Sequence, residues 1–219
     1  MTHGKYIVIE GSDGTGKTTQ ATILQQQLQT AGVDTILLHE PGGTPIADAL
    51  RAIIVDKSLP RSPLTNLLLF TAARHELTPI IEQHLTHGKW VIASRNWLST
   101  LAYQGHGEGV PAELITSITA QFTSPSYRTP DLTLVLALAT DSRRTRITNR
   151  NTNYATDTFE AKDAKFHRTL DEGYLRIANE QQLPLIDATQ PVEAVAQSIW
   201  QHVSPLLPAT PKFDNVRHT

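Results

Sequence analysis

The sequence predicts an α/β fold organised on a parallel sheet, and three observations carry the prediction. Five short apolar runs, Tyr6 to Ile9, Thr35 to Leu38, Trp90 to Ala93, Leu132 to Leu138 and Leu183 to Ile186, read as strands. Longer stretches with helical spacing separate them. The opening unit runs strand, glycine-rich turn, helix, strand, a β-α-β arrangement that makes its strands parallel. With 219 residues, 39% apolar composition and a net charge of −2, the chain suits one well-packed domain over residues 1–207, and no linker-like stretch divides it.

Composition also limits function. The near-neutral charge argues against a disordered chain and against a nucleic-acid partner, so any basic site is local. Cysteine is absent, which excludes disulfides and thiolate chemistry and suits a reducing compartment. No apolar run has bilayer length, and MTHGKYIVIEG enters the first strand without signal-peptide anatomy; the expectation is a cytoplasmic protein with no membrane partner.

Between the strand at Tyr6 to Ile9 and a helix read over Thr18 to Gln29, Gly11 to Thr18 fits G-x-x-x-x-G-K-[ST] without a mismatch. That spacing turns successive N–H groups inward onto a phosphate, and needs glycine where φ goes positive. Gly11, Ser12, Asp13, Gly14, Thr15, Gly16, Lys17, Thr18 and Thr19 are therefore candidate ATP-binding residues. Lys17 would reach the β- and γ-phosphates and Thr18 a magnesium ion.

Gly32 stops the first helix, and the second strand leads into the Pro41-Gly42-Gly43 turn. Ile46, Ala49, Leu50, Ile53 and Ile54 then follow at helical spacing. The turn reads equally as a ligand loop at a strand's carboxyl end and as an ordinary turn with Thr44 as N-cap. Ser62 to Leu85 is a helix with a stripe of Leu64, Leu67, Leu68, Thr71 and Ala72. Phe70 and Arg74 share one face of it and could stack on a base and bond its edge, while a core Phe beside a solvated Arg is the more ordinary reading.

The third strand ends in Ser94-Arg95. Leu98 to Gln104 and Pro111 to Phe122 read as helices split by GHGEG at Gly105 to Gly109. After the fourth strand, residues 141–157 carry Arg143, Arg144, Arg146 and Arg150 and then a polar run, which reads either as a solvated helix or as a lid closing over an anion. Thr158 to Asn179 reads as a helix and Val192 to Leu206 as a closing helix, with residues 208–219 a loose tail. The histidines and tryptophans form no metal-ligand spacing, and no internal repeat is present.

Read together, IEGSDGTGKTT, EPGGT at Glu40 to Thr44, LLLFTAAR at Leu67 to Arg74, SRNWLSTLAYQG at Ser94 to Gly105, and the late TFE and GYL resemble the bacterial thymidylate kinases, in family order and over most of the chain. The resemblance implies a P-loop kinase fold, a central five-stranded parallel sheet with helices on both faces and a mobile lid at about residues 141–157. It implies transfer of the γ-phosphoryl of ATP to dTMP with Mg2+, a step in dTTP synthesis, by a homodimer. It implies that Lys17, Arg95, Arg146 and Arg150 are catalytic, the lid arginines holding the donor and Arg95 gripping the dTMP phosphate. Phe70 would stack on thymine, with Arg74, Thr100 and Gln104 at the base. Tyr103 would crowd the sugar 2′ position and Asp13 accept the 3′-hydroxyl, while Glu40 and Pro41 complete the acceptor site; by the same resemblance Arg51 touches the nucleotide, though a mid-helix arginine reads equally as solvated.

Four positions depart from the family pattern. Ser94 stands where an aspartate near the magnesium is usual, Ala137 where the fourth strand often carries aspartate, Thr158 where the lid has arginine, and His39 where arginine precedes EPGGT. These departures suggest a metal shell completed by water and phosphate oxygens, and a slower or more metal-selective enzyme. Two other functions stay open on sequence: a kinase for another deoxynucleotide or deoxynucleoside, and a nucleotide-binding module with weakened catalysis.

Overall fold

The first strand, β1 (Tyr6–Glu10), is buried along its whole length, as expected of a strand covered on both faces. In the computed structural model, which describes residues 3–138, 146 and 158–208, it lies at the centre of a five-stranded sheet. The others are β2 (Thr35–His39), β3 (Trp90–Ser94), β4 (Leu132–Ala137) and β5 (Leu185–Asp187), in spatial order β2-β3-β1-β4-β5. Every neighbouring pair is parallel, with Ile9 opposite Ser94 and Glu10 opposite Val135. The chain builds one side of β1 before crossing to the other, so the loops after β1 and β3 flank the switch point, where open α/β sheets place ligands.

Helix α1 (Lys17–Thr30) turns Gln20, Ala21, Leu24 and Leu28 inward. With α8 (Val192–Val203) it covers one face of the sheet through Ile7, Ile9, Leu134 and Ile199. The other face carries α3 (Pro63–Thr86), whose Leu77, Ile81 and Leu85 pack on Tyr6, Val8 and Val91. Helices α2 (Pro45–Val55) and α3 start alike: Thr44 and Ser62 cap them by accepting from Ala47 N and Thr65 N, with proline next. The rim at the amino ends of the strands holds the ion pairs Lys5–Asp131 and Lys89–Asp34. There Gly4 is pressed so close that a Cβ would fall 1.9 Å from the Lys89 carbonyl oxygen.

Several sequence expectations need correction. The helix read over Leu98 to Gln104 is a short α4 (Leu98–Thr100) followed by a π-helical stretch, Leu101–Gly107, that runs through the glycines expected to break it. Those glycines serve contact. Helix α7 (Ala164–Glu180) lies so close that a Cβ on Gly107 would sit 2.6 Å from Phe166, and one on Gly173 2.8 Å from His106 Cβ.

The helix read from Thr158 begins only at Ala164, because Asp163 Oδ1 accepts from Phe166 N and caps it there; residues 158–162 are a turn. The last strand starts at Leu185 rather than Leu183, since Leu183 N bonds back to Ala178 O and Pro184 has no N–H. The closing helix ends at Val203, a 3-10 turn covering Ser204–Leu206.

Helix α5 (Ala112–Phe122) is as expected within a residue, and a short α6 (Pro125–Arg128) was not anticipated. Ile46 and Ile53, read at helical spacing on α2, are 56% and 40% exposed, and of the apolar stripe read on α3 Leu64, Leu68 and Ala72 are exposed while Leu67 and Thr71 are buried. The expected lid and tail, apart from Arg146 and Pro208, fall outside the described residues. Among the described residues no helix is long and apolar enough to cross a membrane.

Candidate active site

The turn after β1 has the backbone its glycines permit. Gly11, Gly14 and Gly16 have φ of 140°, 81° and 92°, a region that side chains rarely enter. At Gly11 a Cβ would also meet the Leu136 carbonyl oxygen at 2.6 Å. Gly16 is the N-cap of α1, so the loop opens directly onto a helix N-terminus, whose free N–H groups and dipole attract anions. Lys17 is buried and folds back over the loop, its Nζ donating to Ser12 O at 2.8 Å; Thr15 Oγ1 donates to the same oxygen at 2.9 Å.

Beside this loop stands Arg95, just past β3, with φ of 79°. A non-glycine residue in that region is strained, and such strain concentrates at functional sites. Both terminal nitrogens of its guanidinium are engaged. Nη1 donates to Gly11 O (3.0 Å), Ser99 Oγ (3.1 Å) and Tyr174 Oη (3.0 Å), and Nη2 to Tyr103 Oη (2.9 Å) and the Asp13 carboxylate. Tyr103 Oη donates to the other Asp13 oxygen at 2.6 Å. Burial alone would raise the Asp13 carboxyl, but the charges of Arg95 and Lys17 and the Tyr103 hydrogen bond hold it well below the usual carboxylate range.

Behind Arg95, Glu10 is fully buried. It accepts from Asn96 N (2.8 Å), Ser99 N (3.0 Å), Ser99 Oγ (2.7 Å) and Tyr174 Oη (3.1 Å). This carboxylate fixes the start of α4 and, through Ser99 and Tyr174, the Arg95 side chain.

On the far side of Arg95 the cleft, about 230 Å³ in volume, is walled by Phe70, Arg74, Thr100, Tyr103, Gln104 and Phe159. The solvated-arginine reading of Arg74 is wrong: it is 3% exposed. It donates to Glu40 Oε2 (2.8 Å), Thr100 Oγ1 (2.7 Å) and Asn96 O (2.8 Å), and lies 5.3 Å from the Phe70 ring centroid.

Tyr127 Oη donates to the same Glu40 oxygen at 2.7 Å, while Glu40 Oε1 has no partner among the described residues. Burial pushes the Glu40 carboxyl up to about 7, against the pull of Arg74 and Tyr127. Of the two readings of the EPGGT turn, the cap is present, Thr44 accepting from Ala47 N, and Glu40 and Pro41 line the cleft as a ligand loop would. Arg51 lines it too, and donates to Pro41 O at 2.9 Å.

The structure thus gathers the predicted acceptor residues Asp13, Glu40, Pro41, Arg51, Phe70, Arg74, Arg95, Thr100, Tyr103 and Gln104 around one cleft, together with Gly14, Gly16, Lys17, Thr18 and Thr19. Gly11, Ser12 and Thr15 form the frame of the loop. Arg146 lines a second depression with Gly14, Gly16, Thr19 and residues 189–192, and donates to Ala188 O at 2.8 Å. Arg150 lies outside the described residues.

Sequence reasoning missed Glu10, Ser99, Tyr127, Tyr174 and Phe159. Four of them stood inside the stretches that carry the resemblance, Glu10 in IEGSDGTGKTT, Ser99 in SRNWLSTLAYQG, Phe159 in TFE and Tyr174 in GYL, without a role being assigned; Tyr127 left no signal. Thr158 sits beside Arg61, donates to Val55 O at 3.1 Å, and is accounted for structurally.

For a divalent cation the fit is one-sided. Thr18 faces the cleft and Ser94 is buried beside it, but Glu10 is already saturated with donors and Asp13 is tied to Arg95 and Tyr103. No group of three acidic or histidine side chains is poised to ligate among the described residues. Such a set suits an ion that keeps water and phosphate oxygens as most of its ligands, as Mg2+ does.

Comparison with known proteins agrees with this geometry. The thymidylate kinase family model matches residues 9–199. The chain is 37% identical over 203 residues to the thymidylate kinase of Alkalilimnicola ehrlichii, covering 91% of this chain and 92% of that one. It is 35% identical over 207 residues to that of Deinococcus radiodurans (93% and 98% covered) and 38% over 208 to that of a Psychrobacter species (93% and 99%).

Proposed function

The chain belongs to the thymidylate kinase family, and on that premise we propose that the cleft holds two nucleotides end to end, with Arg95 at their meeting point. The enzyme phosphorylates dTMP with ATP. The observation that carries the site reading is the Arg95 guanidinium, bonded to the phosphate loop at Gly11 O and to Tyr103 at the mouth of the Phe70 and Arg74 pocket. Phosphoryl transfer asks a protein for positioning and charge neutralisation, and both are present there.

On the donor side, the loop N–H groups and Lys17 cradle the phosphates, with Arg146 and Arg150 closing from the lid. On the acceptor side, Arg95 binds the dTMP phosphate, Phe70 stacks on thymine, and Arg74, held by Glu40, Thr100 and Asn96, donates to a base carbonyl. Tyr103 and Asp13 select deoxyribose. Thr18 would hold a magnesium ion, which when bound would supply positive charge against the donor phosphates. Exposed Ile46 and Ile53 on α2, Leu64 and Leu68 on α3, and Leu114 and Phe122 on α5, on helices that pack on one another, support a homodimer through this face.

The test is ADP release across dTMP, dUMP, dCMP and thymidine. The expected result is highest kcat/KM with dTMP; dTMP binding without turnover of any acceptor would overturn the reading in favour of a binding module. Because Ser94 supplies no charge, Ser94→Asp should tighten the Mg2+ requirement, seen as a lower half-saturating metal concentration. No change in metal dependence, with turnover equal to that of relatives, sinks the weakened-metal idea.

A further inference from the structure

We propose that Glu108 is a positioning residue that sets which way Gln104 faces, and thereby admits a pyrimidine bearing N3–H and rejects cytosine. The proposal rests on the dTMP reading above. Gln104 is 1% exposed and lines the base end of the cleft. Its amide has two unlike ends, and only its surroundings decide which one a ligand meets.

Glu108 follows the π-helical stretch and has a side chain only 6% exposed. Its Oε2 lies 3.2 Å from Gln104 Nε2. A carboxylate accepts and cannot donate, so the amide nitrogen must face Glu108. That leaves Gln104 Oε1, which is buried and has no partner among the described residues, as the end available to the cleft.

Glu108 is itself anchored from two other elements. Asn66 Nδ2 on α3 donates to both of its oxygens, at 3.1 and 3.2 Å, and Lys162 Nζ stands 3.7 Å away, just before α7. Asn66 is fixed in turn by Arg61 Nε, which donates to Asn66 Oδ1 at 3.0 Å, so its own amide cannot flip. The backbone around Gln104 is equally fixed, with Gly109 N bonded to Gly105 O and Val110 N to Gln104 O, both at 2.9 Å.

Thymine and uracil offer N3–H to an acceptor and O4 to a donor; Gln104 Oε1 and Arg74 supply that pair. Cytosine offers the reverse, a bare N3 and an amino group, so it would set lone pair against lone pair at Gln104 and donor against donor at Arg74. Unpaired buried polar groups discriminate far more strongly than a lost methyl contact.

The test uses Glu108→Gln, an isosteric change that lets residue 108 donate to Gln104 Oε1 and so permits the amide to turn. Steady-state kcat/KM for dTMP and dCMP and KM for ATP are measured for wild type and variant, with a melting temperature for each. The expected result is a fall of about tenfold in kcat/KM for dTMP, a dTMP-to-dCMP ratio narrowed by about fivefold or more, and an unchanged KM for ATP. A ratio within twofold of wild type overturns the proposal, because a merely structural role would lower both acceptors together.

Should Glu108→Gln fail to fold, Asn66→Ala, which frees Glu108, is judged by the same ratio. Wild type that ignores dTMP would sink the dTMP reading. Wild type that prefers dTMP beside an unchanged variant ratio sinks this inference alone.

Discussion

Arg95 stands between the phosphate loop and the Phe70 and Arg74 pocket, and its removal separates the two halves of the site. Arg95→Ala should lower kcat/KM for dTMP by about a hundredfold or more, the scale of a lost charge-assisted contact in a buried site, with KM for ATP changed far less. Lys17→Ala should reverse that split. Steady-state kinetics with each substrate varied in turn checks both.

Glu40 gives a pH signature. Its folded value of about 7 lies above the ordinary 4.5, so its proton is held more tightly in the folded chain than in the unfolded one. The stability this contributes is complete below about 4.5 and is lost as pH rises through about 7, roughly 3 kcal/mol in all. Asp13 has the opposite sign, its contribution present above 3.8 and lost as pH falls further. Denaturant titrations from pH 4.5 to 8 should show stability declining across that window in wild type and flattening in Glu40→Gln; an identical slope in both would refute the assignment.

Residue-scale legibility was uneven. The phosphate loop could be read because its spacing is a backbone requirement. The burial of Arg74 could not, since a lone arginine on a helix is ordinarily solvated and its partners, Glu40, Thr100 and Asn96, come from remote segments.

The extents of elements were legible where an apolar run or a helical stretch was uninterrupted, as in β1 and α3, although the face that α3 buries was not, and least so from Leu98 to Gly107. There glycine suggested a break, whereas tertiary contact uses it to bring the π-helical stretch against α7. The consequence is testable in Gly173→Ala. The new methyl would meet the near end of His106, atoms with little freedom to move. An overpacking loss of about 1–3 kcal/mol is expected, read as a lower melting temperature. Tyr174 follows Gly173, and its hydroxyl holds Arg95 and Glu10, so KM for dTMP should rise as well. Unchanged stability and KM would show that α7 has slack at this contact.

At the scale of the whole molecule, the parallel sheet and its order follow from alternation of strand and helix, which is why the architecture could be read from the chain. Assembly is different, since an exposed leucine looks the same in sequence whether it meets solvent or a partner. Leu68, 51% exposed on α3, is the probe: Leu68→Glu should yield a monomer by analytical ultracentrifugation where wild type sediments as a dimer. A wild-type monomer would dispose of the proposed interface.

Parallel strands also give the molecule a working side and an idle one. The proposed substrate contacts gather beyond the carboxyl tips, whereas among the described residues the opposite rim carries the lysine–aspartate pairs near Lys5 and Lys89. Fluorophores, biotin or surface tethers belong on that idle side, through Lys5 or Lys89, where attachment leaves the mouth of the cleft clear. A fusion at the amino terminus should keep Gly4 intact, since any larger residue there would drive into the neighbouring carbonyl.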